Sequence, residues 1–284
     1  MNPTSRIVII VALVVAAGLG GYLWWQHQRP AVVTAPAPVV APPPKPPTAT
    51  PASPPVPPEP AIHHPVASGH DKLPGLDESD GYIRNALLDL LGKKSALSFL
   101  VLDSFARRFV ATVNNLATDN AASQSWPVNR TEGHFEVDAP TGSGVIAAQN
   151  AARYRPFVDF AAAVDSRRAV SAYVRLYPLF QRAYEELGFP GKYFNDRVIE
   201  VIDNLLATPD VTGPIKVKTV SADGTLAPPG PGRLYVFDDP ALESATVGQK
   251  ILLRMGPDNA RKLKTKLAEV RQALLQNAGG MAPR

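Results

Sequence analysis

The sequence predicts an α+β fold, mainly α with a few short β-strands, set behind a single-pass transmembrane helix and a Pro-rich linker. Three observations carry this. Residues 7–25 are an uncharged apolar run, 15 of the 36 residues from Pro30 to Pro65 are proline, and from Leu73 onward apolar residues recur at helical spacing. The predicted limits are a cytoplasmic N-terminus over 1–6, a transmembrane anchor over 7–25 and an extended linker over 26–72. A compact, mostly helical domain follows over 73–276, and a disordered tail over 277–284.

The run Ile7–Trp25 reads IVIIVALVVAAGLGGYLWW. As a helix its 19 residues span about 28 Å, close to the thickness of a bilayer's hydrocarbon core. It ends in Tyr22, Trp24 and Trp25, rings that favour the headgroup layer, whereas a cleaved signal peptide ends in small residues. A short N-terminus before a large C-terminal domain favours N-in, C-out. The protein is therefore expected to be single-pass, with its domain outside the cytoplasm. Ala12, Ala16 and Gly20 recur every four residues, a small-residue face suited to weak homodimerisation. The linker cannot bury a core and favours extended polyproline II, reaching up to about 110 Å. His63, His64 and His70 at its end read as solvated histidines rather than a metal site.

In the domain, Asp77 or Ser79 is placed to cap a helix carrying Ile83, Ala86, Leu87, Leu90 and Leu91, closed by Gly92. Ser95 opens a second, with Phe99, Leu102, Ala106, Phe109, Val110 and Val113 inward and an Asp103–Arg107 pair outward. After a polar stretch to Arg130, pieces around His134–Val137 and Gly144–Ala147 suit a hairpin. Helix resumes at Gln149, with Pro156 expected at the first position of a short one. Ser166 is expected to cap a longer helix bearing Val170, Tyr173, Val174, Tyr177, Gln181, Tyr184 and Leu187, kinked or split at Pro178 and ended by Gly188 and Pro190. Asn195 is expected to cap the next, with Val198, Ile202, Leu205 and Leu206 inward. Ile215–Val220 and Arg233–Phe237 read as strands. Three closing helices start at Asp239-Pro240, at Gly248 and at Pro257, the last running to about Gln276.

The chain's 284 residues include 29 Lys+Arg, 25 Asp+Glu and no Cys. No disulfide scaffold, Cys-ligated zinc, iron–sulfur cluster or cysteine nucleophile is therefore available. A net charge of +4 is too dilute to argue for nucleic acid. No nucleophile elbow, zinc-protease, Walker or dinucleotide motif is present, and no cofactor or metal is expected. His134 stands alone on a predicted strand. Asp196, Glu200 and Asp203 share one helix face, a set suited to a hard cation or to acid–base work, although Asp196 also suits a helix start and Arg197 lies beside Glu200. Tyr173, Tyr177, Phe180 and Tyr184, with Phe157 and Phe160 upstream, form a stripe that reads first as core and second as a sugar-stacking surface. Lys250, Arg254, Arg261, Lys262, Lys264 and Lys266 read as a basic face.

Four segments carry a family resemblance: RRFVATVNNL at 107–116, RLYPLF at 175–180, YFNDRVIE at 193–200 and GQKILLRMGP at 248–257. With the anchor and the spacer, the chain resembles the uncharacterised bacterial family of unknown function numbered three thousand and fourteen, over about residues 73–276. The resemblance implies a bacterial, Gram-negative, membrane-anchored protein, single-pass in the inner membrane with its C-terminal domain in the periplasm. It implies no activity and transfers no catalytic residue.

Two functions are consistent with this. The first is an anchored periplasmic binding or scaffold module for an envelope protein or cell-wall component, with Asn195, Arg197, Gln249, Lys250 and Arg254 as its working surface. The second is a cell-envelope glycan hydrolase using Asp196, Glu200 and Asp203. Glycosidases set two carboxylates across a cleft on separate elements, and three on one helix face suit that poorly.

Overall fold

The computed structural model describes residues 61–66, 72–119, 125–141, 143–220 and 234–279. The apolar run Ile7–Trp25, the stripe Ala12, Ala16 and Gly20, the spacer up to residue 60 and His70 lie outside the described residues. Among the described residues no helix is long and apolar enough to cross a membrane.

The order is α1 (Asp80–Leu91), α2 (Lys93–Phe99), α3 (Phe105–Leu116), β1 (Val137–Thr141), β2 (Ser143–Ile146), α4 (Gln149–Ala163), α5 (Ser166–Glu186) and α6 (Phe194–Leu206). Then come β3 (Lys216–Val220), β4 (Leu234–Phe237), α7 (Pro240–Glu243), α8 (Val247–Arg254) and α9 (Pro257–Gly279). The fold is mostly helical with one small sheet, an α+β arrangement. Helices α3, α5, α6 and α9 pack on one another, and α1 lies against α5. Their apolar faces close a core around Ile83, Val110, Leu176, Phe180, Phe194 and Ile202. The sheet runs β1-β2-β3-β4, antiparallel throughout, with Val137 opposite Ile146 and Lys218 opposite Val236. It is joined to the helices through Val217, Phe237 and Leu253.

Several local expectations give way to tertiary contacts. The helix expected from Ser95 is two helices. Leu100 leaves helical geometry to bridge Val128, and the amide of Val101 donates to Pro127. Ser104 then takes a left-handed turn, φ 51°, held by Asp80, whose carboxylate accepts its amide at 2.8 Å. That break separates Asp103 from Arg107. Asp103 pairs with Arg84, while Arg107 reaches Asp77 and Glu186. Pro156 sits within α4 and Pro178 within α5, and neither helix is split. Both prolines are exposed, where water can satisfy the carbonyl each leaves unpaired. Asp165, not Ser166, caps α5 by accepting from the amide of Arg168. The buried Ser79 precedes α1, but its hydroxyl turns back to the carbonyl of Leu76 instead of capping. Gly92 closes α1 as expected, with φ 78°, a conformation an L side chain resists. Asn195 does not cap α6. The N-cap is Tyr193, and Asn195 lies one turn-position inside, 1% exposed.

Candidate functional site

The start of α6 is built differently from an ordinary helix start. Tyr193 has no short side-chain oxygen to offer the first free amides, which are instead capped from α5. The amide of Phe194 donates to Gln181 Oε1 at 2.8 Å, and that of Asn195 donates to the Tyr177 hydroxyl at 3.3 Å. Tyr177 in turn donates to Gln181, whose other end bonds Lys192 and Glu185. The Asn195 side chain accepts from the Tyr173 hydroxyl at 3.1 Å, which fixes its amide so that Nδ2 points away from the core. Burial, then the neighbouring Tyr193 and Asp196, push the Tyr173 hydroxyl well above its ordinary pKa. Burial, then Tyr173 and Tyr193, do the same for Tyr177. Both hydroxyls therefore stay protonated and able to donate.

What Asn195 and its neighbours hold is the end of the linker. Asp196 accepts two successive backbone amides, His63 at 3.1 Å on Oδ2 and His64 at 2.7 Å on Oδ1. Asn195 Nδ2 donates to the carbonyl of His64 at 2.9 Å, and the Tyr193 hydroxyl accepts the amide of Val66 at 2.7 Å. The Val66 side chain is buried against the helical core. His63 and His64 thus matter here through their backbones, and none of these four bonds uses an imidazole.

Beside this segment an open recess of about 850 Å³ runs along α6, lined in part by Ala61, His63, Phe189, Lys192, Glu200 and Asp203. The three carboxylates singled out in the sequence all border it, and each is committed. Asp196 holds the linker, Glu200 pairs with Arg197 at 2.7 Å and Asp203 pairs with Arg271. Such a face can bind through hydrogen bonds and ion pairs. Arg197 has a second duty. It donates to the carbonyl and side chain of Asn114, placing a cation at the C-terminal end of α3.

The other expected site residues sit elsewhere. Gln249 completes a capping box with Thr246 and donates to the carbonyl of Asn204, nine residues along α6 from Asn195, or about 13 Å. Lys250 pairs with Glu243 at 2.7 Å, and the same carboxylate accepts the amide of Phe237. Arg254 donates to the carbonyl of Tyr235 at 3.0 Å and lies 4.8 Å over the Phe237 ring. Tyr235 and Phe237 turn these groups away from β3, so Glu243 and Arg254 together seal the outer edge of the sheet. The rest of the basic set is likewise paired: Arg261 with Asp258, Lys262 with Asp159, Lys264 with Asp210 and Lys266 with Glu269. In the aromatic stripe Tyr177, Phe180 and Tyr184 are buried core, and Phe157 and Phe160 pack on Phe99. Among the described residues no group of three His, Cys, Asp or Glu side chains is placed to hold a metal ion. Sequence reasoning missed the docked segment and Tyr193. The signal available was Val66, a branched apolar residue where the Pro-rich repetition ends.

The sequence model of a family described as a protein of unknown function (DUF3014) matches residues 105–271. The chain belongs to this family. The DUF3014 region begins at the first residue of α3 and includes Tyr193, Asn195 and Asp196, whereas the docked segment precedes it. No curated protein and no solved structure matches the chain.

Proposed function

We propose that this DUF3014 protein is an anchored binding module of the bacterial cell envelope. Ile7–Trp25 stays in the inner membrane, the Pro-rich spacer stands the domain off it, and the domain meets a protein or cell-wall component in the periplasm. The observation that carries the binding reading is the recess along α6, whose bordering carboxylates are all engaged as acceptors or ion-pair partners. Thirty-three residues, Pro30–Ile62, precede the held position at His63. At about 3.1 Å per residue those 33 residues reach about 100 Å, a stand-off suited to a target far from the membrane.

Two experiments test this. Alkaline phosphatase fused after Arg284 should be active, and the protein should resist carbonate extraction. A cytoplasmic-only reporter signal, or a shortened soluble form, overturns the topology. A photo-crosslinking residue at Glu200, on the rim of the recess, should capture a discrete envelope partner that the same residue at the exposed Arg175 does not. Equal yields from both positions overturn the recess as the binding face.

A further inference from the structure

The segment held at the start of α6 is read through its main chain. Between His63 and Val66 there are three backbone N–H groups, because Pro65 has none, and all three are taken: two by Asp196 and one by Tyr193. Asn195 takes the carbonyl of His64. Main-chain reading asks nothing of the first two side chains. It asks for a third residue that needs no acceptor, which proline satisfies, and for a fourth of modest apolar size, since Val66 is buried. Upstream, Ile62 is 56% exposed and adds little hold. The grip is assembled independently of what it holds, because Tyr173, Tyr177 and Gln181 orient the first turn of α6 from within the core.

We propose that Tyr193, Asn195 and Asp196 form a peptide-binding site for an extended X-X-Pro-(small apolar) segment of a partner protein, with residues 63–66 as the intramolecular competitor that occupies the site until that partner arrives. The proposal rests on the binding reading above and names its ligand class. Three observations favour exchange over a permanent seal. The family region at 105–271 contains all three gripping residues and none of the docked segment. Among the described residues the hold on 63–66 consists of four hydrogen bonds and one buried side chain. The open recess continues beside Ala61 and His63 toward Glu200 and Asp203, giving a longer partner segment contacts that residues 63–66 do not make.

The last point also sets the partner's charge. The segment runs antiparallel to α6, with Val66 at Tyr193 and His63 at Asp196, so a chain continued N-terminally passes toward Glu200. The α6 face there carries Glu200 and Asp203, which keep much of their carboxylate surface open to solvent beside Arg197 and Arg271. A partner with Lys or Arg at that place meets these two carboxylates with opposite charge. For an exposed pair this is worth about threefold in affinity. A docked cis segment acts at an effective concentration in the millimolar range, so a partner must exceed it by contacts of this kind.

The test uses the full chain in detergent and a fluorescent peptide of residues 57–68, in its natural form and with Glu59→Lys. Wild-type protein should show no saturable binding at tens of micromolar peptide. His64→Pro removes one of the amides that Asp196 accepts and should release the segment. Hydrogen exchange at Val66 reports that release, and Val66→Asp serves as a second opening variant. The opened chain should bind the peptide saturably, about threefold tighter for Glu59→Lys, and adding Asp196→Ala should abolish binding. An opened, folded chain that leaves the peptide unbound overturns the proposal, as does binding indifferent to Asp196→Ala. Dimers crosslinked from His63 of one copy to Asp196 of another would make a second copy the occupant and overturn the partner. Peptide binding is read on purified protein and partner capture at Glu200 in the envelope, so either reading can fail while the other stands.

Discussion

Arg254→Glu should destabilise the domain far more than an exposed charge reversal does. The guanidinium donates to the carbonyl of Tyr235 at 3.0 Å, lies 4.8 Å from the centroid of Phe237 and stands near Glu243. Burial pulls its pKa below the ordinary arginine value, only partly offset by Glu243, so the cation is held in a partly dry place. Losing it leaves the Tyr235 carbonyl without its donor, at about 1–3 kcal/mol. The cation–π contact contributes about 0.5–2 kcal/mol more. A carboxylate there also faces Glu243, at about 1 kcal/mol in a partly solvated setting. The total is about 3–5 kcal/mol, or a fall in Tm of about 10 °C for a domain of this size. Arg254→Met keeps the stem and removes the charge, and should cost about 2 kcal/mol. Urea denaturation of the two variants measures both figures. Size-exclusion chromatography should show association of the glutamate variant through the unsealed β4 edge. An Arg254→Glu change within 1 kcal/mol of wild type would refute the sealing role, and equal losses for Met and Glu would refute the part assigned to charge.

Gly248→Ala adds a Cβ that meets the Leu205 side chain and lies 2.9 Å from the carbonyl of Leu116, which is backbone and cannot turn aside. Despite a helix-propensity gain of about 1 kcal/mol it should destabilise by about 1–2 kcal/mol in thermal melts. Asp196→Ala should strip hydrogen-exchange protection from the amides of His63 and His64 while global stability moves by less than about 1 kcal/mol; a global loss would make the docked segment part of the folding core. Glu269 has its pKa lowered by hydrogen bonds from Lys266 and Ser166. Its contribution is present above the ordinary carboxylate pKa and lost as pH falls through the depressed one, so Glu269→Gln should flatten the fall of Tm below about pH 4.5.

Legibility in the sequence followed how local each determinant is. The helical faces around Ile83, Val198 and Ile202 and the strands β3 and β4 rest on short-range pattern, which one chain displays. The break at Leu100–Ser104 depends on Pro127 and Val128, more than 20 residues away, and no local pattern signals it. Pro156 looked like a helix start and Pro178 like a breaker because proline's cost is local, while the exposure that relieves it is set by the packed fold. The basic set read as one solvated face because lysines and arginines look alike in sequence. Glu243 and Asp210 come to Lys250 and Lys264 only in three dimensions. The DUF3014 membership was legible because it rests on four separated segments rather than on one contact.

Asn195 shows why the site was half legible. Asparagine before an amphipathic run ordinarily signals an N-cap, and a capping asparagine spends its side-chain oxygen on its own helix. In this fold Gln181 and Tyr177 cap α6 from a neighbouring helix, which moves Asn195 inside the first turn and frees its amide from that duty. Tyr173 then fixes the amide so that its donor faces outward, and Asp196 beside it gains from the positive end of the helix dipole. A donor and a doubly accepting carboxylate at adjacent positions match the carbonyl and the two successive amides of an extended chain. The same substitution of roles that defeated the capping expectation is what turns a helix start into a place that grips a polypeptide backbone.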